Sequence, residues 1–348
     1  MNRKFVHLHL HTRYSLLDGM CRFEGLIDAA KKDSMTSIAI TDHGNMYGVM
    51  EFYSAMVKAG IHPIIGMEAY VIDDIKNNTR EKGHLVLLVK NEKGYKNLMK
   101  ISSRAFIEGF YYKPSIDKSF LKEHSEGLIA LSSCLKGEVP SSISAGNMEE
   151  AEAAARWHLE AFGDGNYYLE MQNHGLAEQV IVNKGLKELG KKLSIPLVAT
   201  NDTHYMKKED AKAHDILVCI QTAKTLTSEN RLQFTTGEFF FKTGREMQEA
   251  FPEDAEALGA SFDIANKCTF EMKFPAKYHM PSYPIEGKEA AVPEDYEIYL
   301  DKIARDALKA RYGDVPPPET EERFERELGV IKKEGFSGYF LIVRDIIN

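Results

Sequence analysis

Short apolar segments alternate with stretches of helical periodicity along the first 200 residues of the chain. This alternation predicts strands joined by helical connections, and it favours an α/β fold built as a parallel sheet or as a closed β/α barrel. We count about seven β units and expect the barrel. The predicted strands are 5–11, 37–41, 64–71, 85–89, 128–132, 167–171 and 197–200, and the predicted helices between them are 23–32, 49–59, 94–106, 148–162 and 178–192.

The pattern becomes helical after Thr203, with predicted helices at 211–222 and 245–268. A stretch rich in proline, 274–293, marks a domain boundary, because proline interrupts regular structure. Beyond it we expect helices at 297–312 and from Glu319 onward, and an apolar run at the end of the chain suggests that the chain is part of a longer protein. We therefore predict one domain at 1–285 and the beginning of a second, mainly helical domain at 286–348.

Composition excludes several classes of protein. No apolar stretch reaches the ~20 residues that a membrane span needs, and the amino terminus lacks a secretory signal. Four cysteines without a CxxC pair do not predict a disulfide framework, so we expect a reducing, cytoplasmic setting. The 44 basic and 52 acidic residues give a net charge of −8, which argues against a large basic face for nucleic acid but not against a local phosphate site.

The first chemical signal is HLHLHT at 7–12. Side chains alternate along a strand, so His7, His9 and His11 are predicted to share one face with Phe5. Neighbouring imidazoles on one face chelate a cation, and we favour this interpretation over an exposed polar strand face. A second pair with the same spacing, Asp202 and His204 in NDTH, follows another predicted strand.

Two further motifs lie at strand ends or within strands. Asp42 and His43 follow an apolar strand in TDHG, and loops after the carboxyl ends of barrel strands hold the catalytic groups, although a turn or helix cap is an equal alternative. Glu68 lies within the apolar run IIGMEAY and needs a cation or hydrogen-bond donors there, with an internal ion pair as the alternative.

Three weaker candidates for the site are considered only because these motifs are also present: Asp18 in LDG, His84 before an apolar strand, and Cys134 at the end of LSSC. His174 follows a strand and is interpreted as a rim residue or substrate contact. Lys113 is a candidate phosphate contact or a solvated loop lysine. The motifs GxSxG, GxxxxGK[ST], GxGxxG and HExxH are absent, which favours hydrolysis assisted by two or more metal ions that activate water and neutralise phosphate oxygens.

Taken together, HxHT at 9–12, TDHG at 41–44, His84 and NDTH at 201–204 resemble the four motifs of the PHP (polymerase and histidinol phosphatase) superfamily. The segments FVHLHLHTRYSLLDG, TDHGNMYG, GMEAYV, GFYYKP and SGYFLIVRDIIN extend the resemblance over nearly the whole chain, to the amino-terminal part of bacterial DNA polymerase III alpha subunits. The resemblance implies a distorted seven-stranded, TIM-like β/α barrel followed by the mainly helical start of the polymerase palm.

The resemblance also implies up to three divalent metals at the rim of the barrel. By this likeness His9, His11, Glu68 and Asp202 hold one ion, Asp18, His43 and His204 hold a second, and Glu68, His84 and Cys134 hold a third. Mixed imidazole, carboxylate and thiolate ligands suit Zn²⁺, Mn²⁺ or Fe²⁺ better than Mg²⁺. His84 fits the strand pattern least well, because it begins a strand instead of ending one.

Because all nine ligand positions are kept, the resemblance implies an active metal-dependent 3′–5′ exonuclease that proofreads the 3′ end of a DNA primer. The implied partners are DNA, the remaining polymerase domains and replisome subunits such as the sliding clamp and clamp loader. The catalytic aspartates of the polymerase are expected beyond this chain, which should therefore not polymerise. The alternatives are a phosphomonoesterase like histidinol phosphatase, and a metal-stabilised scaffold that docks a separate exonuclease subunit.

Overall fold

The computed structural model describes residues 5–77, 82–273 and 281–348. The chain forms two compact units, Met1–Met272 and Lys273–Asn348. The proline-rich stretch expected from residue 274 falls partly outside the described residues. The expected boundary at 285 remains a prediction.

The first unit is built on one curled, mixed sheet with helices packed around it. Its strands run in the order β4-β5-β2-β3-β6-β7-β8, with β1 beside the first half of the long strand β2. The strands are β1 (Ser37–Ile40), β2 (His62–Ile72), β3 (Gly83–Val89), β4 (Phe110–Tyr111), β5 (Lys113–Asp117), β6 (Leu128–Leu131), β7 (Tyr167–Met171) and β8 (Leu197–Ala199). The α/β class predicted from the sequence is confirmed.

The purely parallel alternative is wrong, because β3 runs antiparallel to both of its neighbours, β2 and β6. A parallel crossover needs a dozen or more residues, usually including a helix, and only residues 73–82 separate β2 from β3. The reversal has a consequence for the site. The start of β3 lies at the same edge as the carboxyl ends of β1, β2 and β6, so His84 reaches the rim although it begins its strand.

The predicted first strand, 5–11, is extended chain without a regular ladder. It bridges the two sides of the curled sheet, since the Ala39 N–H donates to the His7 carbonyl and the His11 N–H donates to the Thr203 carbonyl. The backbone bends at His9. As a result Val6, Leu8, His9 and His11 all point into the sheet's interior, whereas Phe5, His7 and Leu10 pack outside it.

The helices of the first unit follow the apolar spacing of the sequence. Phe23, Leu26 and Ala30 form the buried stripe of the first helix, and Asn91 caps the third by accepting a hydrogen bond from the Gly94 N–H. The helices are α1 (Phe23–Lys32), α2 (Val49–Ala59), α3 (Glu92–Ile107), α4 (Lys118–Glu123), α5 (Glu138–Ser144), α6 (Met148–Phe162), α7 (Ala177–Leu193), α8 (Ala211–Gln221), α9 (Gly244–Ala250) and α10 (Ala255–Lys267).

Other elements also differ from the sequence prediction, among them α4 and α5, which were not expected. The helix expected at 245–268 is divided into α9 and α10, because Pro252 cannot continue a helix. The strands β4 and β5 were not expected; β4 has only two residues and carries no periodic signal. Their hairpin places Lys113 beside Tyr70 of β2, with the ammonium nitrogen 5.4 Å from the ring centre.

The interior of the curled sheet is divided into two layers. Inward-facing apolar residues, among them Val6, Leu8, Val86, Ile129 and Val198, form one layer closed by α10. One or two positions further toward the rim, the same faces carry polar residues. This change along each inward face, from aliphatic to ionisable, places the candidate site at one end of the barrel-like sheet.

The second unit contains α11 (Pro293–Tyr312), α12 (Pro318–Lys333) and α13 (Ser337–Ile347). Leu300, Leu328 and Leu341, one from each helix, are buried together with Tyr283. Pro316 and Pro317 lie in the break between α11 and α12, and α12 begins at Pro318. Within the described part of the chain, no helix has both the length and the apolar character needed to cross a bilayer.

Candidate metal centre

Glu68 lies at the centre of a buried cluster of histidines at the rim of the sheet. Its Oε1 is 3.3 Å from His9 Nε2 and 3.0 Å from His84 Nδ1. Its Oε2 is 2.5 Å from His43 Nδ1 and 3.7 Å from His11 Nε2. The carboxylate therefore touches four imidazoles, which come from the amino-terminal segment, the loop after β1 and the start of β3.

Asp202 and Asp18 extend the cluster on two sides. Asp202 Oδ1 is 3.3 Å from His9 Nε2, 3.2 Å from His11 Nε2 and 3.6 Å from His204 Nδ1. Asp18 approaches His43 Nε2 at 3.2 Å and His204 Nε2 at 3.7 Å.

Cys134 completes the group at its edge, with Sγ 3.7 Å from His84 Nδ1 and 3.9 Å from Glu68 Oε1. The structure thus brings together all nine residues named from the sequence as ligands, and their role as ligands stays a prediction.

The loops that carry these residues have unusual backbone conformations. Asp202 has φ 45° and Ser133 has φ 65°, in the left-handed region that only a few per cent of non-glycine residues adopt. Gly44, with φ 62° after His43, has no room for a side chain, because a Cβ would lie 2.8 Å from Pro114 and 2.9 Å from Tyr70. Such local strain persists only where the surrounding structure enforces it.

The side chains fit a divalent metal better than they fit one another. Several of their atoms are buried without a hydrogen-bond partner: His9 Nε2, His11 Nε2, Asp18 Oδ1 and Asp202 Oδ1. Buried polar atoms are nearly always paired, so such a convergence of unpaired atoms points to a cation. Two ligands bound at 2.0–2.1 Å to a tetrahedral ion lie about 3.3 Å apart. The separations of 3.2–3.3 Å between Asp202 or Glu68 and the histidine nitrogens match that spacing.

The charges of the cluster balance each other without a metal. Burial opposes a charge on His43, but Glu68 and Asp18 outweigh it and raise the pKa of His43 to about 10. Burial together with the neighbouring His43 and His204 lowers the pKa of His11 to about 3. For Glu68, burial is outweighed by His84, His43 and His9, which hold its pKa well below the usual range. In the metal-free protein, protons on imidazole nitrogens therefore supply the positive charge that bound metal ions would bring.

Glu170 of β7 is a residue that the sequence analysis missed. Its Oε1 is 2.6 Å from His9 Nδ1, so the ring N–H donates to the carboxylate and Nε2 is left free to face Glu68 and Asp202. Oriented imidazoles of this kind are the usual partners of bound metals. A signal was available, because Glu170 is a carboxylate inside the apolar strand YYLEM, as Glu68 is inside its own strand.

His7 and His174 do not belong to the cluster. His7 stacks on Phe241 and its Nε2 lies 2.8 Å from the Lys242 carbonyl. His174 is fully buried, with Nε2 2.7 Å from the Asn201 carbonyl and Nδ1 2.8 Å from Gln179 Nε2. Both rings have packing and hydrogen-bonding roles, and His174 is too deeply buried to contact a substrate.

A cleft of about 1070 Å³ opens over the cluster. Residues of the candidate metal centre form part of its wall, and Lys82, Lys113 and Lys118 form another part. Lys118 pairs with Asp73 and Glu138 at 2.8 and 2.5 Å, and Lys82 donates to the carbonyls of Tyr111 and Lys113. The wall therefore combines cationic side chains with a concentration of carboxylates and imidazoles at one end.

Comparison with known proteins agrees with this geometry. Residues 7–174 match the PHP domain family, and residues 298–348 match the family described as the bacterial DNA polymerase III alpha NTPase domain. The chain is 44 % identical to DNA polymerase III subunit alpha of Borreliella burgdorferi over 99 % of its length, and 42 % identical to that of Treponema pallidum over 99 %. It spans 30 % and 29 % of the length of these relatives.

Among solved structures, a protein from Bifidobacterium adolescentis provisionally described as a metal-dependent phosphoesterase aligns with a TM-score of 0.39 and 13 % identity, over 71 % of this chain and 96 % of that one. That likeness is too weak to bear on function. The sequence matches identify the chain as a PHP-domain protein. More narrowly, it belongs to the family of bacterial DNA polymerase III alpha subunits.

Proposed function

We propose that the first unit of this chain is a metal-dependent phosphodiesterase that removes nucleotides from the 3′ end of DNA. The observation that carries the proposal is the set of buried, unpaired nitrogen and oxygen atoms around Glu68, which converge at one end of an open cleft. A chain that needed these side chains only for packing would not leave so many polar atoms without partners.

The residues that would hold the ions are the nine gathered at the rim, three or four for each ion. Zn²⁺, Mn²⁺ or Fe²⁺ suits this donor set, because imidazole and thiolate are softer ligands than Mg²⁺ prefers. When bound, such ions activate water and neutralise the charge of phosphate oxygens.

The chain's own residues supply orientation and a place for the substrate. Glu170 holds the His9 ring so that Nε2 faces the cluster, and Ser133 donates from Oγ to Glu68 Oε1 at 2.6 Å. Lys113 stands over Tyr70 on the cleft wall, where its ammonium group is placed to contact a backbone phosphate.

Family membership supports a further proposal about the whole protein. We propose that the whole protein is a DNA-directed DNA polymerase of the bacterial cytoplasm, with DNA, its own polymerase domains and other replisome subunits as partners. The chain itself is expected not to extend a primer. Detectable primer extension would contradict that expectation.

The test is digestion of 5′-labelled DNA that carries a 3′ mismatch, in the presence of Mn²⁺ or Zn²⁺. The variant is Asp202→Asn, because asparagine tolerates the left-handed backbone at this position. We expect stepwise shortening from the 3′ end by the wild type. The variant should lose more than the roughly 10–100-fold that removal of an outer partner costs.

The matched control is Asp164→Ala, since Asp164 is an exposed carboxylate outside the cleft. It should cleave as the wild type does. Absence of cleavage by a metal-loaded wild type would refute the nuclease proposal and favour the metal-stabilised scaffold that docks a separate exonuclease. Release of phosphate from small monoesters without shortening of DNA would favour the phosphatase alternative.

A further inference from the structure

His214 lies beside the metal centre, although no sequence motif includes it. It belongs to α8, and its ring is only 1 % exposed. Its ring centre is 4.6 Å from that of Phe234, 5.1 Å from that of Tyr205 and 5.5 Å from that of His204. Two aromatic residues and one predicted ligand therefore enclose the imidazole.

The Nε2 atom of His214 points at Asp18. It lies 3.4 Å from Asp18 Oδ1, and both atoms are buried without a hydrogen-bond partner. A separation of 3.4 Å is that expected of two ligands on one tetrahedral ion, for which the ligand spacing is about 3.3–3.4 Å. The pair thus has the separation of co-ligands and lacks the geometry of a hydrogen bond.

Two other buried histidines outside the cluster, His7 and His174, behave differently. His7 and His174 are as deeply buried as His214, but each places Nε2 on a backbone carbonyl, at 2.8 and 2.7 Å. These rings are satisfied within the protein. His214 Nε2 is not, and the atom it faces is a carboxylate oxygen that is unsatisfied as well.

The surroundings of Asp18 indicate which ion is concerned. Its Oδ2 faces His43 Nε2 at 3.2 Å, while its Oδ1 faces His204 Nε2 at 3.7 Å and His214 Nε2 at 3.4 Å. We propose that His214 is a further metal ligand, a tenth residue of the centre, on the ion held by Asp18 and His204. This inference rests on the proposed metal centre and adds to it a residue from α8.

The first test locates the ion in the wild-type chain. Crystals of the 348-residue chain loaded with Zn²⁺ are measured at the zinc absorption edge, and the anomalous peak is compared with the protein atoms. We expect a peak about 2.0–2.1 Å from both His214 Nε2 and Asp18 Oδ1. An ion bound by Asp18 that lies more than about 3 Å from His214 Nε2 would refute the inference.

The second test measures metal affinity without depending on catalysis. The His214→Phe variant keeps an aromatic ring against Phe234 and Tyr205 but removes the nitrogen. Titration with Zn²⁺ should show at least a tenfold weaker Kd for one ion, with the remaining ions bound as in the wild type. The matched control is His158→Phe, because His158 is equally buried and stacks on Tyr167 outside the cluster. It should bind Zn²⁺ as the wild type does.

The outcomes separate this inference from the proposed function. If the wild type binds no metal, both the proposed metal centre and the role of His214 as a ligand are refuted. If the wild type binds metal and His214→Phe binds the same number of ions with the same affinity, only the role of His214 is refuted. If the variant does not fold, the anomalous map of the wild type decides.

Discussion

Replacing Glu170 by glutamine tests whether the metal centre depends on a carboxylate behind its ligands. Glu170 Oε1 accepts from His9 Nδ1 at 2.6 Å, from Thr200 Oγ1 at 2.5 Å and from Gln172 Nε2 at 3.0 Å, and Oε2 accepts from the Ser133 N–H at 3.0 Å. The side chain is buried. Glutamine keeps its size and shape, so the substitution changes charge and hydrogen bonding without opening a cavity.

The geometry sets the size of the effect. If the amide oxygen of the variant takes the place of Oε1, the amide NH₂ faces the Ser133 N–H, and two donors meet where a hydrogen bond existed. One lost bond to a charged group and one buried donor left unpaired cost about 1–3 kcal/mol of the free energy of unfolding. The neutral oxygen is also a weaker acceptor for His9. Loss of such an outer partner lowers metal affinity about 10–100-fold.

Two measurements check this prediction on the same preparations. Urea denaturation of the metal-free protein gives the change in the free energy of unfolding, and titration with Zn²⁺ gives the change in Kd. The control is Glu160→Gln, since Glu160 is an exposed carboxylate paired with Lys122 on the surface. It should leave both quantities unchanged.

Separate outcomes refute separate steps of the reasoning. An unchanged Kd for every bound ion would show that the orientation of His9 by Glu170 does not matter to metal binding. Unchanged stability in the metal-free protein would show that the charge of Glu170 and its hydrogen bond from the Ser133 N–H contribute no net free energy. A loss of stability with an intact Kd would leave Glu170 a structural residue only.

Three further outcomes follow from the same structure. Removal of metal by a chelator should lower the free energy of unfolding by about 2.7 kcal/mol for each site that was held at 100 times its Kd, as measured by denaturation with and without metal. Leu8→Ala should cost about 2–5 kcal/mol in the same assay, because Leu8 is fully buried in the inner apolar layer. Burial disfavours charge on Glu138, but His158 and Lys118 outweigh it and lower its pKa to about 2. The stability that Glu138 adds over Glu138→Gln in the metal-free protein should therefore be fully present above about pH 4.5 and fall as the pH approaches 2.

Local patterns in the sequence were sufficient to predict most elements of the fold. Helices α1, α2 and α6 begin and end at the predicted residues, because each has a continuous apolar stripe bounded by polar or glycine residues. Strand β7 was also predicted in full. The direction of β3 could not be predicted from its own residues, since an apolar strand reads the same in either direction and only the short connection from β2 reverses it.

The sequence alone was sufficient to predict which residue types form the candidate metal centre and that they recur at strand ends. HxH, DH and DxH carry ligand chemistry in their spacing, and a single buried carboxylate such as Glu68 is conspicuous in an apolar strand. What the tertiary structure decided is which of these residues meet. The bend at His9 turned His9 and His11 inward and left His7 outside, and the reversal of β3 carried His84 to the rim.

Glu170 and His214 are two residues near the candidate centre that the sequence alone could not assign to it. A hydrogen bond from His9 to a strand more than 150 residues away, or an imidazole on α8 that faces Asp18 across the site, has no local pattern in the chain. Short-range periodicity reports how a segment packs, because backbone geometry repeats every two or 3.6 residues. The meeting of distant segments depends on the closure of the sheet as a whole, and that closure assembles the centre around Glu68.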